Sequence, residues 1–408
     1  MPGVCENTNV GNKSKSSNSS FNLADVTRFF AGAIASVLLA EVILHAIELS
    51  PLWRILPIVE RELGLPDPQL GYKFKSSYKL INVRENRAQI FTNSQGMRDQ
   101  QRTIENPHED HIVAFMGDSY TEALQVSLQD TFVYQTEELL NQTANDANIQ
   151  ALNFGMSGAG PLQQLIRHEL DATKFEPDLS IFVIGVKDFL SPELVNDSSG
   201  PAYVKAVGTD ELQIGRAYRN LITHRIQSEW YGKFFFWLMD YSRVTRALFL
   251  QYRVGKASAQ PPGRNISRVS CAGALKALEP YDALWRKEEP KPHFSRWEKF
   301  LSDTDRADIN EAVFAFYGLY HPPSSCSDAL ARRTLIVSSI RARLRAQNIG
   351  LIDLDKGIAA LDERFYLSRA HHGFGSSRGI GHLNIEGHRL YARLLSTEIQ
   401  KLMIRPKP

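Results

Sequence analysis

Three short and nearly uninterrupted apolar runs mark the middle of the chain: His111-Ile112-Val113-Ala114-Phe115-Met116, Leu152-Asn153-Phe154 and Ile181-Phe182-Val183-Ile184. Runs this short, with no polar alternation, predict strands that are covered on both faces, as in a parallel sheet. Each run stops at a glycine. The first gives Gly117-Asp118-Ser119 and then a helix-like stretch; the second enters Gly155-Met156-Ser157-Gly158 and the helix-like Pro161-Leu162-Gln163-Gln164-Leu165-Ile166; the third ends in Gly185-Val186-Lys187-Asp188. Ile349-Gly350-Leu351-Ile352-Asp353-Leu354 reads as a further strand. Near the C-terminus the period changes, and Leu390, Leu394, Leu395, Ile399 and Leu402 share one face of a last amphipathic helix. Strands alternating with helices predict an α/β fold, a three-layer sandwich around a mainly parallel sheet.

The N-terminal pattern is of another kind. Asn7 to Ser20 is rich in Asn, Ser and Lys with almost no large apolar side chain, so residues 1–28 read as a disordered tail. Phe29 to Ile47 is apolar, broken only by Glu41 and His45. A bilayer needs about 20 such residues, and residues 29–50 are expected to form a transmembrane anchor, with a core helix as the alternative. A cleaved signal peptide fits less well, because the preceding tail is long and no small-x-small site follows. Lys13, Lys15 and Arg28 precede the span while Arg54 and Arg61 follow it, which tilts the orientation toward an external, extracytoplasmic domain. Residues 51–107 form a lead-in, and residues 108–408 the main domain.

With 408 residues, 43% of them apolar, the chain can build one sizeable core plus a smaller appendage. A formal charge of +2 argues against general nucleic-acid binding. The appendage is expected at about 195–325, an insert between the third run and the C-terminal blocks. In it Phe234-Phe235-Phe236-Trp237-Leu238-Met239 and Ala247-Leu248-Phe249-Leu250 suggest a buried helix, and Gln260-Pro261-Pro262-Gly263 and Glu289-Pro290-Lys291-Pro292 break it into loops. Trp230, Trp237, Trp285 and Trp297 are either core or flat surfaces for stacking on sugar rings in a lid or groove. Cys5 falls in the tail. Cys271 and Cys326 are left as a disulfide pair in an oxidising compartment or as two thiols in a reduced one.

The chemistry centres on Gly117-Asp118-Ser119. A buried strand that turns sharply into a helix leaves its next side chain at the carboxyl edge of the sheet, where unpaired N–H groups of the first helical turn can receive negative charge. The glycine-rich turn at Gly155 to Gly158 can bring further N–H groups to the same place. Gly381-His382-Leu383-Asn384-Ile385-Glu386-Gly387-His388 follows much later, just before the last helix.

The order strand-Ser, strand-Gly, strand-polar pair, final loop-His resembles the SGNH (GDSL-type) hydrolase family over residues 108–192 and 349–403. Membrane-anchored relatives in that family have a similar lead-in, here Gly71-Tyr72-Lys73-Phe74 and Asn93-Ser94-Gln95-Gly96-Met97-Arg98-Asp99. The resemblance implies that Ser119 is the nucleophile, that the Ser119 and Gly158 N–H groups receive the oxyanion, and that His382 is the general base. Two positions depart from the pattern. Lys187 stands where the family has an asparagine in the oxyanion hole; its ammonium can still donate, but as a flexible point charge. Gly379, Ile380 and Gly381 stand where an aspartate usually precedes the histidine.

These departures leave a Ser119–His382 dyad, oriented by a carbonyl, a water or a distant acid. Asp355, at the end of the strand-like 349–354, and the pair His371-His372 are the candidate substitutes. His388 reads as structural, and Arg332, Arg333, Arg341, Arg343 and Arg345 as the solvated face of a helix. The expected function is a serine esterase or acyl-transfer enzyme acting on an acylated glycan of the cell envelope or on a small ester. The rival is an inactive relative serving in glycan binding or envelope assembly. No Cys-x-x-Cys or His-Glu-x-x-His pattern is present, so neither metal nor cofactor is expected.

Overall fold

The three apolar runs lie side by side in one sheet. The computed structural model describes residues 22–50, 64–67, 70–82, 85–86, 88–105, 110–143, 148–189, 204–207, 211–214, 229–258, 271–279, 312–318, 322, 325–346, 350–368, 370–374 and 381–403. The elements in chain order begin with α1 (Leu23–Leu49), β1 (Gly64–Asp67), β2 (Gly71–Phe74), β3 (Lys79–Asn82) and β4 (Ala88–Phe91). The body follows with β5 (His111–Gly117), α2 (Ser119–Glu122), α3 (Phe132–Thr143), β6 (Ile149–Gly155), α4 (Pro161–Arg167) and β7 (Leu179–Gly185). Then come β8 (Val204–Val207), β9 (Glu211–Ile214), α5 (Trp230–Tyr241), α6 (Arg243–Ser258) and α7 (Cys271–Leu278). The chain closes with β10 (Ala312–Tyr317), α8 (Ser327–Ala346), β11 (Gly350–Asp353), α9 (Leu354–Leu361), α10 (Glu363–Ser368) and α11 (Ile385–Met403).

The central sheet has the order β11-β10-β7-β5-β6, with every pairing parallel. Alternation along each strand divides the core in two. Ile112, Ala114 and Met116 of β5, with Phe182 and Ile184 of β7, pack under α4, α7 and α8. Val113, Phe115, Ile181 and Val183 point the other way, against α3, α9 and α11. The result is the expected three-layer α/β sandwich. From β5 the chain passes to β6 on one side and then returns to β7 on the other, so the carboxyl end of β5 lies where the winding reverses, the usual place for a site in such sheets.

Four expectations change. The helix α1 starts at Leu23, earlier than Phe29, because the Asn22 side chain accepts the Ala24 N–H and caps it; residues 1–21 of the expected tail lie outside the described residues. The stretch Ala312 to Tyr317 is a full strand of the sheet between β7 and β11, rather than part of an insert. The helix α5 is present, but Trp230, Phe234 and Trp237 are 77%, 54% and 53% exposed, and its buried residues are Gly232 and Met239. Trp285 and Trp297 lie outside the described residues. On α8 the arginines are not all solvated: Arg333 Nη2 is 3.1 Å from Asp355 Oδ2, and Arg341 Nη2 donates to Asp353 Oδ1 at 2.9 Å.

The lead-in is packed onto the body. Asn93 Oδ1 accepts the N–H groups of Gln95 and Met97 around Gly96, whose φ of +74° suits glycine. Beyond the turn, buried Arg102 donates to Glu137 Oε2 on α3 at 2.6 Å and to Asp99 Oδ1 at 3.2 Å. Arg98 Nη2 donates to the Val126 carbonyl at 2.8 Å.

Cys271 and Cys326 form a disulfide that ties the start of α7 to the chain entering α8, 55 residues apart in sequence. Closing a loop of that length removes unfolded-chain entropy worth about 4 kcal/mol. Cys271→Ser/Cys326→Ser is therefore expected to lower the unfolding free energy by up to about 4 kcal/mol in denaturant titrations. An unshifted midpoint would show that the bridge carries no such constraint.

Candidate active site

The three residues after β5 each have a distinct local reason. A Cβ on Gly117 would stand 2.0 Å from Thr121 Oγ1, so only glycine lets the chain fold back tightly into α2. Asp118 caps that turn: its Oδ1 accepts the Tyr120 N–H at 2.9 Å, and its Oδ2 accepts the Tyr317 hydroxyl at 3.1 Å. Ser119 comes next, half-buried at the carboxyl edge. Beside it, a Cβ on Gly155 would lie 2.2 Å from the Glu122 backbone nitrogen. The strand end thus runs directly under α2.

Two sequence-distant groups complete the arrangement. His382 Nε2 lies 2.9 Å from Ser119 Oγ. Its Nδ1 lies 2.5 Å from Glu85 Oε1, and its backbone N–H donates to Glu85 Oε2 at 3.2 Å. A carboxylate at Nδ1 holds the ring proton there and leaves Nε2 to accept from the serine hydroxyl. Burial raises the Glu85 pKa, but the hydrogen bonds and charge of His382 outweigh it and the net shift is downward. Its grip therefore stabilises the fold in full above the ordinary Glu pKa of about 4.3 and is lost as the pH falls through the lowered value.

Glu85 sits in the turn between β3 and β4. That turn is pinned to the loop after α2: Asn82 Nδ2 donates to the Leu124 carbonyl and Asn86 Nδ2 to the Gln125 carbonyl, the latter at 3.1 Å. Gly381, next to His382, leaves room for the Glu85 carboxylate. Its φ is +92°, and a Cβ there would meet Glu85 Oε2 at 2.9 Å. The space beside the imidazole where the local sequence offers no acid is taken by a carboxylate from across the chain. The ring is also held from its side, with Tyr120 edge-on at 5.7 Å between ring centroids.

The expected stand-ins do other work. Asp355 pairs with Arg333 instead of reaching His382. His372 Nδ1 lies 3.0 Å from the Gly381 carbonyl, which makes it a support for the loop. Gly379 and Ile380 lie outside the described residues. His388 Nδ1 accepts the Phe132 N–H at 3.2 Å, and burial, with help from the charge of Arg98, pushes its pKa down to about 3, so it stays neutral and structural.

The oxyanion candidates differ in how much is visible. Gly158, at φ +75°, occupies the turn after β6. That turn is tied to α2 through buried Glu122, which accepts the hydroxyls of Ser157 and Tyr72, the latter at 3.0 Å. Burial raises the Glu122 carboxyl pKa above its usual value, against the pull of these hydrogen bonds and of Arg167. Lys187 lies in the 3₁₀ turn Val186–Phe189 after β7, held by Asp188 Oδ2 accepting the Gly185 N–H at 2.7 Å; the Lys187 side chain lies outside the described residues. No group of three or more His, Cys, Asp or Glu side chains suited to a metal occurs among the described residues.

No protein-family model matches the chain, and no curated protein matches it either. Solved structures with a similar layout include Axe2, an acetylxylan esterase from Geobacillus stearothermophilus, at 12% identity and a TM-score of 0.37, covering 73% of this chain and 97% of that one. A lipase/acylhydrolase from Enterococcus faecalis shows 13% identity and a TM-score of 0.35, covering 73% and 99%. LAE5, an α/β hydrolase from the metagenome of Lake Arreo, shows 12% and 0.35, covering 71% and 95%.

If Glu85 orients His382, Glu85→Gln keeps the side-chain shape but removes the charge that selects the tautomer. The expected loss in kcat is up to about 10⁴ with KM little changed, and Glu85→Asp should recover part of it. Gly381→Ala should imitate the loss by displacing the carboxylate. Wild-type kcat in Glu85→Gln on an aryl acetate would remove Glu85 from the site.

Proposed function

We propose that this chain is a membrane-anchored serine esterase or acyl-transfer enzyme of the SGNH type, acting on ester-linked acyl groups. The observation that carries the reading is His382, placed between the Ser119 hydroxyl and the Glu85 carboxylate at hydrogen-bond distance from each. Ser119 Oγ attacks the carbonyl carbon as its proton passes to His382 Nε2. The oxyanion of the tetrahedral intermediate is received by the N–H groups of Ser119 and Gly158, with the Lys187 ammonium as a further donor. Collapse breaks the ester bond, and the leaving alcohol takes the proton from Nε2. Water, or a second alcohol in a transferase, then attacks the acyl-serine by the same route. Glu85 accepts the Nδ1 hydrogen throughout and offsets the charge of the imidazolium.

O-acetylated glycan of the cell envelope is the proposed substrate class, with the catalytic body on the outer side of the membrane. The anchor reading is supported by α1 itself: within Leu23–Ile47 an 18-residue stretch has mean hydropathy 2.1 and is not buried in the fold. Its Glu41 is engaged with the chain after α5. A cleaved leader would take that contact away from the mature protein.

A fluorophosphonate probe should label Ser119 in the wild-type chain, but not in Ser119→Ala and only weakly in His382→Ala. Both variants should lose hydrolysis of an aryl acetate and of an acetylated glycan. Parent rates in both would end the serine-esterase reading and leave the non-catalytic scaffold. Lys187→Ala is expected to lower kcat by about 10²–10³ if the ammonium serves the oxyanion; an unchanged rate would make it an ordinary surface residue.

A further inference from the structure

The aromatic helix α5 carries its large side chains on the wrong side for a core. At about 100° per residue, Trp230, Phe234, Trp237 and Tyr241 fall within about 60° of one another, and all four are exposed. The buried residues Gly232 and Met239 lie on the opposite side. Phe234 and Trp237 stack at 5.9 Å and Trp237 meets Tyr241 at 5.3 Å, so these three form a continuous aromatic surface, with Trp230 on the same face one turn earlier.

The connection to α1 says where this surface goes. Glu41 stands inside the apolar stretch of α1, eight residues before Leu49, or about 12 Å from the end of the helix. Its carboxylate accepts the Ser242 hydroxyl, the Arg243 N–H at 2.8 Å and the Val244 N–H at 3.1 Å. Those groups are the N-terminal cap and first turn of α6, which suit a negative charge. An ionised side chain within a span needs such partners. It follows that the α5–α6 junction sits at the depth of Glu41. Phe235 packs on Phe249 at 5.7 Å and joins the two helices. At the other side of α5, Asp240 binds Lys75 Nζ at 2.8 Å and Tyr78 Oη at 3.0 Å, holding the helix to the lead-in.

We infer that α5 is an interfacial helix whose Trp230-Phe234-Trp237-Tyr241 face lies in the headgroup and upper acyl layer of the bilayer that α1 crosses. Tryptophan and tyrosine suit that layer because an apolar ring and a polar edge can each find their own medium. The inference rests on the anchor reading. Its result is that the hydrolase body meets the membrane through two elements, with the α5 end of the lead-in fixed at the bilayer surface.

The test uses the full-length chain in phosphatidylcholine–phosphatidylglycerol vesicles whose acyl chains are brominated just below the headgroup. Trp230 and Trp237 are two of the five tryptophans, so wild-type emission should be quenched and the quenched component should shrink in Trp230→Phe/Trp237→Phe. In parallel, a photoactivatable phosphatidylcholine should label wild-type peptides covering residues 230–241. Equal quenching in wild type and variant, with lipid adducts confined to α1 in a chain that resists carbonate extraction, overturns the inference and leaves the anchor standing. A chain that carbonate strips from the vesicles removes both.

Discussion

The contact between Glu85 and His382 is the constraint on which the site depends. An imidazole beside a serine hydroxyl is an ordinary neighbour until something fixes which nitrogen carries the proton. Here that task falls to a carboxylate separated by 297 residues of chain. To deliver it, the β3–β4 turn is fastened to the loop after α2, and Gly381 leaves the approach open. The same loop and helix bear on Glu122, which binds Ser157 beside Gly158. Ser119, the support of the His382 imidazole and the turn at Gly158 are therefore all referred to one short helix, α2. Few degrees of freedom separate the fold from the geometry of the site.

Much of this was legible from the pattern of residues, for identifiable reasons. The strands β5, β6 and β7 are covered on both faces, and such burial writes itself as continuous apolar runs. The glycines that end them are read easily because backbone or side chains press against Gly117 and Gly155 where a Cβ would stand. Ser119 is marked by its position directly after β5, whereas His382 is singled out by the resemblance of its block to the SGNH pattern. The strand Ala312–Tyr317 has the same apolar character, yet it falls within a long segment whose proline clusters and aromatic helix suggest an insert.

Glu85 could not be found that way. The lead-in shows a polar turn, Arg84-Glu85-Asn86, between two short strand-like pieces, and many surface hairpins look the same. Nothing in the spacing to His382 carries information, because the contact is made by tertiary folding alone. The aromatic helix failed for a different reason. Hydrophobicity along α5 predicts removal from water, and burial in the protein is only one means to that end. Periodicity marks which side chains share a face without saying what covers it.

The distance along the chain between Glu85 and His382 also orders events during synthesis. Glu85 is made soon after the apolar helix, and His382 follows 297 positions later. Asp118, Ser119 and Gly158 all precede His382 in the chain. If Ser119 and His382 act as proposed, a chain translated no further than residue 381 holds the serine without its proton acceptor. On that reading the sequence separation makes ester cleavage wait on the synthesis of the last block of the domain.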